Sequence, residues 1–233
     1  MNVNEILTYP MERDSWVKTV LIGGLLVFFG FLLVPLFAVY GYLVETIRAS
    51  TAGDPNPPAF EDWETLLVDG AQAWVITVVF LVVPLLVAAV TVGGSVLAIA
   101  TGSEAGAAVG VGGLFAGLTL SALLTLAFGY LAIVGIVNFA REGRFAAGFD
   151  AGVIKTVALD REYAIAWLAS VAVVVVVGFV GMIPLVGWLL APFAGFYGAV
   201  VAANLWAGGF AAAMDSTASL SRPGEGSGED TTV

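Results

Sequence analysis

The chain has no cysteine and no histidine. The first absence excludes disulfides, thiol nucleophiles and thiolate metal sites. The second removes the commonest general base and metal ligand. Lysine is scarce as well: Lys18 and Lys155 stand against 18 acidic residues, and the net charge is −10. That balance argues against nucleic acid and anionic lipid surfaces as partners. An acidic, lysine-poor chain suits a high-salt cytoplasm, where self-repulsion is screened. Charge of either sign is missing from residues 19–44, 70–103, 105–140 and 163–214. All 8 basic and 18 acidic residues lie outside those stretches. A charge at the centre of a bilayer costs at least about 2.5–3.5 kcal/mol, so this segregation is what lipid demands.

What remains is apolar. The chain is 60% hydrophobic and 11% charged, against roughly 45–50% and 25% in soluble domains. One membrane-spanning helix needs roughly 17–25 apolar residues. Residues 163–214 make about twice that, with the turn-forming GMIPLVG at 181–187 in the middle. The expected fold is therefore all-α, a polytopic transmembrane bundle of about five spans in the cell membrane. The spans are expected at 18–44, 71–99, 106–138, 163–181 and 186–213, in one membrane domain over 1–214. Tilt, or a kink at Pro35, absorbs the excess length of the first. The polar residues 215–233 are expected to be disordered. The opening 18 residues are too acidic for a cleaved signal peptide.

Short amphipathic helices are expected between spans. Phe60, Trp63, Leu67 and Trp74 share one helical face after the proline-rich turn at 54–58, which predicts an interfacial helix over 59–70. Phe145, Phe149, Val153 and Val157 recur every four residues, which predicts a second over 145–160. Five spans put loops 45–69 and 141–162 on one side and both chain ends on the other. The loops carry five Lys or Arg and the opposite side three, which weakly favours cytoplasmic loops.

Small residues mark expected packing seams. Gly106/Gly110 and Gly113/Gly117 are GxxxG pairs, and Gly195, Ala199, Ala203, Ala207 and Ala211 form a ladder at four-residue steps. Such seams let helix backbones approach closely. The glycine-rich run at 106–118 lacks the GK[ST] ending of a phosphate loop. Asn138 and Asn204 are the only asparagines in the uncharged stretches. They are expected to make interhelical hydrogen bonds, or to line a polar path. LLVPLFAVYGYLV at 32–44 matches LLAPFAGFYGAVV at 189–201 at six positions, and ETIR at 45–48 resembles NFAR at 138–141. These matches point to an internal repeat.

Several motifs in order carry a resemblance: ILTYPMERDSWVKTVLIGG, LLVPLFAVYGYLVETIR, GDPNPPAFEDWETLLVDG, NFAREGRFAAGFDAG with DREYAIAWL, and IPLVGWLLAPFAGFYG. Together they resemble an archaeal multi-pass membrane family, mainly haloarchaeal, catalogued as a domain of unknown function. The resemblance implies a membrane protein and carries no catalytic residues. The first functional expectation is a non-enzymatic bundle that organises the membrane or binds a membrane-protein partner or a second copy of itself. The alternative is a small transporter or channel for a neutral or apolar solute. No cofactor, metal or catalytic residue is expected.

Overall fold

A computed structural model describes residues 3–220. Among these, every regular element is helical. In chain order they are α1 (Val3–Thr8), a 3₁₀ turn (Tyr9–Met11), α2 (Trp16–Phe28), α3 (Leu33–Thr51), α4 (Trp63–Ala100) and α5 (Glu104–Glu142). A 3₁₀ turn (Phe145–Phe149), α6 (Ala151–Ala158), α7 (Arg161–Gly181) and α8 (Val186–Leu220) follow. Four helices are long and apolar enough to cross a membrane: Trp63–Ala100, Glu104–Glu142, Arg161–Gly181 and Val186–Ser219.

The expected first span, 18–44, is instead two helices. Pro35 favours a restart just before it, although Pro84 and Pro192 lie inside the unbroken α4 and α8. Inside one continuous helix its ring would clash with the carbonyl of Phe31, four residues back. The chain instead turns at 29–32 and restarts at Leu33. Pro35 then falls in the first turn of α3, where backbone N–H groups lack helical partners in any case. The two pieces run in opposite directions. Gly23 and Gly24 press on Phe196 and Phe193 of α8, and Phe28 lies with Trp188 and Pro192, so α2 runs against α8. Tyr42 meets Phe196 at 5.1 Å, and Ser50 shares a cavity with Asn204, so α3 runs along α8. The segments 32–44 and 189–201 matched in sequence thus lie on parallel, touching helices.

This reversal corrects the expected arrangement of the ends. The N-terminal segment packs where loop 52–62 lies: Ser50 donates a hydrogen bond to the Tyr9 hydroxyl at 3.3 Å, and Tyr197 donates to the Leu7 carbonyl. The end of α8 is there too, since α8 runs parallel to α3. The turns at 29–32, 101–103 and 182–185 all point the other way.

Polar caps set several helix starts. Asp62 accepts from the Thr65 N–H at 3.1 Å, Ser103 from Gly106 at 3.0 Å, and Asp160 from Glu162 at 2.8 Å. Such caps occupy donors that a helix leaves free at its N-terminus. From Trp63 the helix runs on to Ala100, so residues 63–70 of the expected interfacial helix are the first turns of α4, and residues 59–62 precede it. The expected helix 145–160 is split at Asp150, whose extended backbone caps α6. The tail does not begin at 215: α8 continues to Leu220, with Ser216 bonded to Asp160 at 2.9 Å. Residues 221–233 of that expected tail lie outside the described residues. The core gathers at the loop end, around Val44, Ile47, Ile76, Val137, Tyr163 and Phe210.

Candidate functional site

The loop end gathers several of the polar contacts that join separate helices. Arg48, near the end of α3, donates Nε to the Ala140 carbonyl of α5 at 3.1 Å and Nη2 to Asp69 of α4 at 3.0 Å. A cation suits the last carbonyls of a helix. Arg141 reaches α8 instead, with its guanidinium 4.9 Å from the Phe210 ring centre. Tyr42 donates to the Pro58 carbonyl at 3.0 Å, and Phe60 stacks on Tyr42 with ring centres 4.5 Å apart. These contacts fold loop 52–62 back onto the bundle.

Under that loop lies a cavity of about 450 Å³, lined by Arg13, Glu45, Arg48, Asp54, Glu61 and Asp62 among others. Burial pushes the Glu45 carboxyl above its ordinary 4.5; Arg48 opposes the shift, and Asp62, Asp69 and Glu61 reinforce it. Hydrogen bonds from Thr65 hold Asp62 below its ordinary range. Among the described residues, no three His, Cys, Asp or Glu side chains gather to hold a metal ion.

The residues singled out in the sequence fall in three places. On α5, a Cβ at Gly106 would lie 2.5 Å from the Ala98 carbonyl, and one at Gly110 would lie 2.6 Å from the Ser95 carbonyl. At Gly113 and Gly117 the nearest atoms belong to Ser95 and Thr91. All four glycines thus face α4. On α8, Ala203 and Ala207 are buried, Ala199 is half-buried, Ala211 is exposed, and a Cβ added at Gly195 would meet nothing within 4 Å. Asn138 is fully buried and donates Nδ2 to the Ala147 carbonyl at 2.8 Å. It ties the 145–149 turn to α5, close to where Gly148 crosses Gly135. Asn204 lies elsewhere, on a cavity of about 430 Å³ with Glu5, Tyr9, Glu12, Ser50 and Asp54.

A family model described as a protein of unknown function, DUF4013, matches residues 25–186. The chain belongs to the DUF4013 family. No curated protein and no solved structure matches it. The DUF4013 match runs from the end of α2 to the first residue of α8. It takes in Arg48, Asp69, Asn138 and the α5 glycines, and leaves out Asn204 and the α8 ladder.

Sequence reading missed the Arg48 junction and the cavity beside it. The ETIR and NFAR resemblance was the available signal. It pairs Arg48 with Arg141, and both arginines bind a second helix.

Proposed function

We propose that this chain is a non-enzymatic membrane bundle that organises membrane proteins by receiving a partner helix, from another protein or from a second copy. The observation that carries this reading is the outer surface of the α4–α5 hairpin. A Cβ added at Gly93, Gly94 or Gly112 would meet nothing within 4 Å. A groove of about 380 Å³ runs there between Val90, Thr91, Gly94, Val109, Gly113 and Leu120. In lipid, helices associate through close backbone approach rather than through the hydrophobic effect, and small residues permit that approach. A chain without cysteine or histidine is poorly equipped for chemistry of its own.

The test is crosslinking in native membranes from a cysteine placed at Gly112 of this cysteine-free chain. A defined crosslinked species, lost on Gly94→Leu, supports the reading. Monomer alone, at every crosslinker length, overturns it. Transport of a neutral or apolar solute is the second reading, and the interrupted helix at 29–32 favours it, since broken helices build substrate sites in transporters. Solute flux into proteoliposomes without any crosslinked species would move that reading ahead.

A further inference from the structure

We infer that α2 and α3 form a re-entrant hairpin, which enters and leaves the bilayer on the face carrying loop 52–62 and displaces lipid mainly from that leaflet. Length comes first. The 13 residues of α2 reach about 20 Å at 1.5 Å per residue. The uncharged part of α3, residues 33–44, is about as short. A hydrocarbon core is about 30 Å thick, and apolar helices of 10–14 residues are too short to cross it. The second observation is direction: α2 and α3 run against each other, so the chain returns to the end it left. The third is where charge sits. Arg13, Asp14 and Lys18 mark the base of α2, and Glu45 and Arg48 the base of α3, with no charge between 19 and 44.

The tip is Phe28, Phe29, Gly30, Phe31 and Leu32, with Phe31 77% exposed. A tip facing water would carry polar side chains, as Thr101 and Ser103 do at the α4–α5 turn. Backbone donors at the tip are largely occupied: Phe29 bonds to Leu25 at 3.0 Å, Gly30 to Val27 at 2.9 Å and Leu32 to Phe29 at 2.9 Å. Non-helical backbone at membrane depth is tolerated where it packs on protein, and the approach to this turn, Val27 and Phe28, lies against Trp188, Ala191 and Pro192 of α8. The occupant that fits this surface is the acyl chains of one leaflet. The inference is independent of the partner-helix reading, because the groove on α4–α5 takes no part in it.

The test uses the full chain in sealed vesicles with single cysteines at Ser15, Phe31 and Ser50. A membrane-impermeant maleimide is expected to label Ser15→Cys and Ser50→Cys from the same side, and Phe31→Cys from neither. A fluorophore on Phe31→Cys is expected to be quenched more by phosphatidylcholine spin-labelled near the chain end than near the headgroup. Labelling of Ser15→Cys and Ser50→Cys from opposite sides overturns the inference, as does labelling of Phe31→Cys from either side. Stronger quenching from the headgroup label overturns it too.

Discussion

The α4–α5 and α7–α8 hairpins are both antiparallel pairs of apolar helices closed by short turns, yet they are held and ended differently. In α4–α5 the contact is glycine against backbone and hydroxyl: Gly106 and Gly110 meet the Ala98 and Ser95 carbonyls, and Gly117 meets Thr91. In α7–α8 it is valine and a polar pin. Gly198 faces Val177, Gly209 faces Ala166, and Trp206 donates Nε1 to Ser170 at 2.7 Å. Lipid is as apolar as leucine, so burying apolar side chains between helices gains little there. One hairpin answers with close backbone approach, the other with a hydrogen bond in a bulkier interface. Their reach differs too. The helices of α4–α5 have 38 and 39 residues, while α7 has 21, about 57 Å against 31 Å.

The turns separate the hairpins most sharply. Thr101, Ser103 and Glu104 close the first. Met182, Ile183, Leu185 and Trp188 close the second, with Leu185 92% exposed. The largest expected difference follows from this. Ser103→Cys should react fully with an impermeant maleimide from the side opposite loop 52–62. Leu185→Cys should stay protected until detergent dissolves the membrane. Equal labelling of the two would mean that both turns reach water, and the contrast would fail.

The next effect tests the seam itself. Gly110→Ala places a Cβ 2.6 Å from the Ser95 carbonyl and 3.1 Å from the Ile99 nitrogen. Backbone cannot swing aside as a side chain does, so overpacking should cost about 1–3 kcal/mol. Gly112→Ala meets nothing within 4 Å. It should gain about 0.5–1 kcal/mol, because glycine weakens a helix interior by that amount relative to alanine. Unfolding of the two variants in mixed micelles should therefore shift in opposite directions. A shared sign would show that the glycines do not act through contact with α4.

The polar pin of the other hairpin is worth less. Trp206→Phe keeps an aromatic ring and removes the donor to Ser170. Hydrogen bonds between membrane helices average about 0.6 kcal/mol and reach about 1.7, and the loss should lie in that range. A Trp206→Phe, Ser170→Ala double variant should then cost little more than the single one. An additive loss would mean that tryptophan acts by packing.

Much of this arrangement was legible because its causes are local. Ser103 and Asp160 cap helices that begin within a residue or two of the expected places, and GMIPLVG turns the chain where glycine and proline cluster. The reversal at 29–32 was not legible. Hydropathy records that residues 19–44 avoid water but not which way the chain runs, and proline is no guide here, since Pro84 and Pro192 lie inside unbroken helices. Phe60, Trp63 and Leu67 read as one helical face, yet Phe60 lies before the cap at Asp62 and stacks on Tyr42 from outside the helix. The Arg48 junction joins residues 92 apart in sequence, and no periodicity reports such a pair. Asn138 was legible as a buried amide, but its acceptor, Ala147, comes from a turn that had read as helix.

The smallest effect expected is titration, and it falls where the hairpins meet rather than on either seam. The seam contacts compared above, the α5 glycines against α4 and Gly198, Gly209 and Trp206 against Val177, Ala166 and Ser170, are made without an ionisable side chain. Glu45, half-buried beside the Arg48 junction, is different. Its carboxyl titrates above 4.5 in the folded chain, chiefly because burial disfavours its charge. The folded state therefore holds its proton to higher pH than the unfolded state does. Ionised Glu45 weakens the fold at neutral pH, and the penalty fades as pH falls through the raised value towards 4.5. Wild-type protein should gain stability over that window, and Glu45→Gln should flatten the rise while being the more stable of the two at neutral pH. The slope comes from unfolding midpoints at a series of pH values, with Gly112→Ala as the control that keeps it. A rise that survives Glu45→Gln would move the proton to another group at the loop end. A loss of stability in Glu45→Gln at neutral pH would mean that attraction between Glu45 and Arg48 outweighs the burial of its charge.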